Sequence, residues 1–126
     1  MAKSFGIYKC EICGNTVEMI EAQEPNLVCC GQEMVLMEEK TEDKGQEKHV
    51  PVLESGEGKV TVKIGEVPHP MEENHYIELV EILRDGKVIA SKWLYPGNEP
   101  EVTICLDNPQ GVTARIYCNV HGAWKN

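Results

Sequence analysis

The sequence predicts a mainly β protein, with a small cysteine-rich metal-binding unit followed by an antiparallel β-sandwich. Three observations predict it. Four of the six cysteines fall within the first thirty residues, as Cys10-x2-Cys13 and Cys29-Cys30. Further on, apolar and polar residues alternate with the two-residue period of strands. Turn clusters rich in Gly, Pro, Asn and Asp recur between those runs, and no segment carries the pattern of a long helix.

A chain of 126 residues has room for one ordinary domain, or for a small domain and a tiny one. We divide it into residues 1–37 and 38–126. The polar stretch Thr41-Glu42-Asp43-Lys44-Gly45-Gln46 reads as the link at the boundary. No apolar run approaches the length that spans a bilayer. Met1–Cys10 holds two lysines but no apolar stretch and no cleavage site, which is unlike a signal peptide. The expected location is therefore the cytoplasm, where six cysteines bind metal more readily than they form disulfides.

The formal net charge of −9 speaks against nucleic acid, because phosphate binding needs a basic face. It also sets a problem for an anionic substrate, which the mean field of the protein repels. Local positive charge must overcome that field, which puts weight on Lys48 and on any bound metal.

In the first unit, Gly14 follows Cys13 and lets the backbone turn over the sulfurs. Fewer than forty residues bury too little apolar surface to hold a fold, so a metal staple is expected. The spacing C-x2-C-x15-C-C suits four thiolates on one metal. Neighbouring residues of an extended chain point to opposite sides, so gathering Cys29 and Cys30 should strain a tetrahedron. Iron and zinc both accept four thiolates, and spacing leaves iron, zinc and disulfides open.

In the second unit, Val60, Val62 and Ile64 alternate with Thr61 and Lys63, and Val102, Ile104 and Leu106 with Thr103 and Cys105. Cys105 reads as a small buried strand residue. Asp85-Gly86 marks a hairpin between the runs Tyr76–Arg84 and Val88–Tyr95, whose imperfect alternation leaves room for bulges. Further turns are expected at Ser55–Gly58, Pro96–Pro100 and Asn108–Gly111. About seven short strands at this spacing predict a sandwich.

The chain has four histidines, His49, His69, His75 and His121, all downstream of the cysteine pairs, and Cys118 stands three residues before His121. His49 is expected to open a strand, and Pro68 and Pro70 to hold His69 in an extended loop. Cys118 and His121 are expected to follow the last strand. Four imidazoles and a thiolate would fill five positions of an octahedral metal and leave one open. A structural zinc site closes with four ligands, so a five-ligand set argues for a redox metal that admits something.

With these motifs placed, the chain closely resembles the desulfoferrodoxin family, the two-iron form of superoxide reductase. The resemblance rests on Cys10-x2-Cys13…Cys29-Cys30, Glu47-Lys48-His49-Val50-Pro51, His69-Pro70-Met71-Glu72-Glu73-Asn74-His75 and Cys118-Asn119-Val120-His121-Gly122-Ala123-Trp124. It covers essentially the whole length. It implies a desulforedoxin-like unit with a distorted tetrahedral iron on Cys10, Cys13, Cys29 and Cys30. It further implies an immunoglobulin-like sandwich whose square-pyramidal iron carries His49, His69, His75 and His121 in the equator and Cys118 on the axis. Tyr76 departs from relatives that have tryptophan there, and Cys105 has no place in the family pattern.

The implied activity is one-electron reduction of superoxide to hydrogen peroxide at a non-haem ferrous centre. A rubredoxin-like donor re-reduces the protein, and family members are homodimers. Lys48 is expected to attract the anion and order the water that protonates the product. Glu47 resembles the glutamate that takes the sixth position after turnover. Glu72 and Glu73 read as solvated charges. Three other functions compete: a pure electron carrier, a superoxide dismutase and a structural zinc protein. The open position and Lys48 argue against the carrier, and the fifth ligand argues against structural zinc.

Overall fold

Alternation read residue by residue places the strands Lys59–Ile64 and Glu101–Cys105, whose buried and open positions follow it. The structure, a computed structural model, describes residues 4–23, 26–41, 49–65 and 70–126. It separates into two units, Met1–Glu38 and Glu39–Asn126. Of the polar stretch Thr41–Gln46, only Thr41 lies among the described residues.

In the first unit, β1 (Ile7–Lys9) lies between β2 (Thr16–Glu18) and the later β5 (Val35–Leu36), antiparallel to both. Ile7, Tyr8 and Cys10 are buried, whereas Ile12, Val17, Ile20, Val28, Val35 and Leu36 stay exposed. So small a core needs the staple that the cysteines offer. The other two strands, β3 (Val28–Cys29) and β4 (Gln32–Glu33), form a hairpin. Its two turn residues are Cys30 and Gly31, with φ of 54° and 76°. Two left-handed residues make the turn that matches the twist of paired strands. Cys30 is thus not on an extended chain. The strain expected of adjacent cysteines is taken up by the backbone, at a cost of about 1–2 kcal/mol for a non-glycine residue.

The second unit holds seven strands among the described residues, and the expected sandwich is present. They are β6 (Pro51–Gly56), β7 (Lys59–Ile64), β8 (Ile77–Arg84), β9 (Lys87–Trp93), β10 (Glu101–Cys105), β11 (Thr113–Cys118) and β12 (Gly122–Lys125). One sheet has the order β10-β7-β6 and the other β12-β11-β8-β9, all neighbours antiparallel. Val60, Val62, Ile64 and Val102 of the first sheet pack with Val80, Ile82, Ala114, Ile116, Cys118 and Trp124 of the second. Asp85 and Gly86 close the β8–β9 hairpin with φ of 53° and 77°, the two-residue turn that their identities predict. Among the described residues, no helix is long and apolar enough to cross a membrane.

Irregularities fall where the alternation is poor. Ile82 pairs with Ala90 but Leu83 pairs with Val88, so Ile89 is the extra residue of a bulge and is exposed. Tyr117 pairs with Leu79 but Cys118 with Ile77, which leaves Glu78 unopposed.

Three expectations need correction. Cys105 is exposed, because Val102 and Ile104 take the inward positions of β10 and its odd neighbours face out. Cys118 and His121 do not follow the last strand. Cys118 ends β11, and a further strand, β12, begins right after His121. Its four residues are too few to show a period. His49 stands two residues before β6 and does not open it.

Candidate functional site

The first cluster is made by two turns that face each other. Residues 10–14 form a knuckle in which Gly14 N donates to Cys10 O at 2.9 Å and Cys10 N donates to Asn15 O at 2.8 Å. Opposite it stands the Cys29–Cys30 turn. The four sulfurs of Cys10, Cys13, Cys29 and Cys30 all lie within 4.8 Å of one another. Cys13 Sγ and Cys29 Sγ are 3.6 Å apart, and Cys29 Sγ and Cys30 Sγ 3.9 Å. A regular tetrahedron with metal–sulfur bonds of about 2.3 Å puts its sulfurs about 3.8 Å apart, whereas a disulfide would bring them to about 2.0 Å. All four cysteines are free. The donor set therefore fits one tetrahedral metal and excludes the disulfide alternative.

The backbone favours thiolate there. Hydrogen bonds from the Cys13 and Ile12 amides pull the Cys10 thiol down from its usual range to about 6. Cys13 and then Cys29, as hydrogen-bonding sulfur neighbours, push Cys30 up to about 12, and Cys13 and Cys10 likewise raise Cys29. Four sulfurs this close resist sharing negative charge until a cation neutralises it, so metal binding releases protons.

The second cluster lies in the sandwich. One donor atom each from His49, His75, Cys118 and His121 lie within 4.8 Å of one another. His49 Nε2 and His121 Nδ1 are 3.0 Å apart. Two nitrogens bound at right angles with bonds of about 2.1 Å would stand about 3.0 Å apart. The set therefore fits adjacent ligands of one metal, with an anionic sulfur to offset its charge. Glu47, Lys48 and His69 lie outside the described residues.

Each of these four side chains is placed by a local device. Cys118 is fully buried at the end of β11, re-aimed by the Glu78 irregularity. Cys118 and Gly122 are paired across β11 and β12, which closes a three-residue loop, Asn119-Val120-His121. That loop carries His121 back over the cysteine. His75 ends a tight turn in which Glu72 and His75 exchange backbone hydrogen bonds of 2.9 and 3.0 Å. Glu72 and Glu73 in that turn are exposed. Asn119 ties the two loops together. Its Oδ1 accepts from Tyr76 N at 2.9 Å, its Nδ2 donates to Asn74 O at 3.1 Å, and its own amide donates to Tyr76 O at 3.2 Å. His49 is 4% exposed and lies flat against Trp124.

Several residues around this site have no role assigned from the sequence. Trp124 donates its indole N–H to His121 O at 3.2 Å, and Lys40 Nζ donates to the same carbonyl at 2.8 Å. On the outer face of the same sheet, buried Arg115 donates to Glu81 at 2.8 Å and to Glu39 at 2.7 Å. Burial works to lower the Arg115 pKa, but the charges of Glu81 and Glu39 outweigh it and the net shift is upward. A charged pair at facing strand positions is a weak signal in sequence, and nothing local marks Lys40.

Comparison with known proteins agrees with this geometry. Residues 41–126 match the desulfoferrodoxin family, and residues 2–37 match the desulfoferrodoxin N-terminal domain. A desulfoferrodoxin homolog of Archaeoglobus fulgidus is 52% identical over 128 residues, covering 100% of this chain and 99% of the relative. The crystal structure of the superoxide reductase from Treponema pallidum aligns with a TM-score of 0.76 at 27% identity, over 99% of each chain. The one-iron superoxide reductase of Giardia intestinalis aligns with a TM-score of 0.58 at 28% identity, over 64% of this chain and 96% of its own. The two side-chain clusters are consistent with two iron sites, the enzyme is an oxidoreductase, and the chain belongs to the desulfoferrodoxin family.

Proposed function

We propose that this protein is a superoxide reductase, converting superoxide and two protons to hydrogen peroxide by addition of one electron. The observation that carries the reading is the convergence of His49, His75, His121 and Cys118, with two imidazole nitrogens at the 3.0 Å spacing of adjacent ligands. The solved superoxide reductases that share the fold support it.

Iron bound at this centre would supply the electron, passing from the ferrous to the ferric state. The residues around it do the rest. His49, His69, His75 and His121 are proposed as neutral donors and Cys118 as the anionic one, and its thiolate favours the more highly charged oxidised ion. Lys48, adjacent to His49 in sequence, supplies local positive charge against the net charge of −9. It also orders the water that protonates the product. Glu47 is proposed to take the position that the product leaves.

At the other cluster, Cys10, Cys13, Cys29 and Cys30 hold a second iron that relays electrons or supports the dimer. A rubredoxin-type protein is the proposed donor, a homodimer the proposed assembly and the cytoplasm the proposed location.

The test is a superoxide pulse on the anaerobically reduced protein, with peroxide and oxygen counted while iron oxidation is followed optically. One peroxide per superoxide, no oxygen and rapid oxidation of the histidine-bound iron is the expected result. Half that peroxide with matching oxygen would mean dismutation. No rapid oxidation would leave an electron carrier.

A further inference from the structure

Glu39 and Lys40 lie along the edge of β12 as a short strap. Lys40 pairs with Trp124 in a parallel bridge: Lys40 N donates to Ala123 O at 3.0 Å, and Lys125 N donates to Lys40 O at 2.9 Å. Consecutive residues of an extended segment point to opposite faces. Glu39 turns to the outer face, where it meets Arg115 at 2.7 Å and Lys125 at 3.4 Å. Lys40 turns to the face of the histidine cluster.

There its ammonium makes two contacts. Nζ donates to His121 O at 2.8 Å and sits 5.0 Å from the centroid of the Trp124 ring. Trp124 donates to the same oxygen at 3.2 Å and stacks on His49. The peptide that carries this oxygen joins His121 to Gly122, whose φ is 82°. Glycine restricts that peptide less than any other residue would. Two donors on one carbonyl supply the restraint that glycine lacks, and so fix the backbone from which the His121 imidazole hangs. The cation on the Trp124 face steadies the ring that backs His49. Lys40 thereby acts on both nitrogens of the 3.0 Å pair.

We propose that Lys40 is a positioning residue of the histidine–cysteine centre, fixing His121 and Trp124 while its charge biases the bound iron toward the ferrous state. The inference rests on the reading of this centre as a redox iron site. A fixed positive charge beside a metal raises the cost of the extra charge on the oxidised ion, so it raises the reduction potential. Lys40 is exposed, so this effect must weaken as salt is added.

The experiment uses the full-length, iron-loaded protein and the variants Lys40→Arg, Lys40→Gln and Lys40→Met. Lys63→Met serves as a control of equal charge change. Lys63 pairs with Glu54 at 3.3 Å on the other sheet. The potential of the histidine-bound iron is titrated optically at low and high salt, with the four-cysteine iron in the same sample as internal reference. Loss of iron to a chelator is followed separately.

Lys40→Gln and Lys40→Met should lower the potential of the histidine-bound iron at low salt, and the shift should shrink at high salt. Lys40→Arg should stay close to wild type, and Lys63→Met should not move it. Lys40→Met should also lose iron roughly tenfold faster, within the range seen when the supports of metal ligands are removed. Lys40→Gln, which can still donate to the carbonyl, should lose it less readily than Lys40→Met. Wild-type potential and iron retention in both Lys40→Gln and Lys40→Met would overturn the inference and leave the proposed function standing. An equal, salt-independent shift in all three Lys40 variants would overturn it too, as a mark of general disruption. A wild-type protein with no redox-active iron at the histidines would take down both readings.

Discussion

The ring of Trp124 lies nearly parallel to the ring of His49, 4.6 Å between centroids and 11° between planes. Trp124 belongs to the apolar core of the sandwich, with Ile116 and Val80 among its members, and His49 is itself buried. Core packing and the orientation of the His49 ring therefore share one contact. A histidine that rests on a packed ring cannot swing to another rotamer without opening the core.

Trp124→Phe keeps an aromatic ring under His49 and removes the hydrogen bond to His121 O. It should cost about 0.5–1.5 kcal/mol of stability and leave the histidine-bound iron in place. Trp124→Ala removes both, and should cost about 3–5 kcal/mol and empty the histidine centre. Denaturant unfolding and iron content per chain distinguish the two. Full iron occupancy in Trp124→Ala would show that the stacking does not orient His49.

Asn119 spans the residues on either side of His75. Asn119→Ala leaves the Tyr76 amide without its side-chain acceptor, which should cost about 1–3 kcal/mol, and it frees the His75 turn. Iron at the histidine centre should then be lost faster to a chelator, with the four-cysteine iron unaffected. Asn119→Asp keeps the acceptor and should fall between the two. Equal loss from both centres would point to general unfolding.

Arg115 and Glu81 are each only 2% exposed and face one another across β11 and β8. Arg115→Met leaves Glu81 buried without its partner and should cost about 3–5 kcal/mol at neutral pH. Burial favours the neutral acid, so in this variant the folded state takes up a proton more readily than the unfolded one. The deficit should therefore shrink as pH falls. Adding Glu81→Leu should restore much of the stability at neutral pH, because no buried carboxylate remains there. Urea unfolding at two pH values checks both signs.

Cys13 contributes to the first cluster alone. Cys13→Ser should reduce bound iron from two to one per chain and unfold the first unit, whose apolar residues are mostly exposed. The sandwich should keep its unfolding midpoint, since its core is its own. Iron analysis together with thermal unfolding tests this. A lowered midpoint for the sandwich would mean that the two units are coupled.

What the sequence determined by itself was everything carried by spacing and local pattern. Alternation at Val60–Ile64 and Val102–Ile104 placed two strands, and Asp85-Gly86 specified a turn of two left-handed residues, because these signals act over a few neighbouring residues. The cysteine pairs and the histidine motifs offered a set of candidate donors, because few other side chains can hold a metal, and eight of those nine residues fall into two clusters among the described residues. The sequence also pointed to Cys118 and His121 as partners, three residues apart.

Tertiary structure alone decided what depends on pairing across the sheets. Cys105 proved exposed because the register of β10 turns it outward, and strand β12 emerged because pairing with β11 stabilises four residues that show no period. The turn at Cys30, which brings adjacent sulfurs together, depends on a backbone conformation that cysteine rarely adopts. The roles of Trp124, Asn119 and Lys40 come from contacts made by strands and loops distant in sequence. Lys40 is 81 residues from the carbonyl it holds, and no local pattern records a contact of that separation, because only the folded sheet brings the two groups within reach.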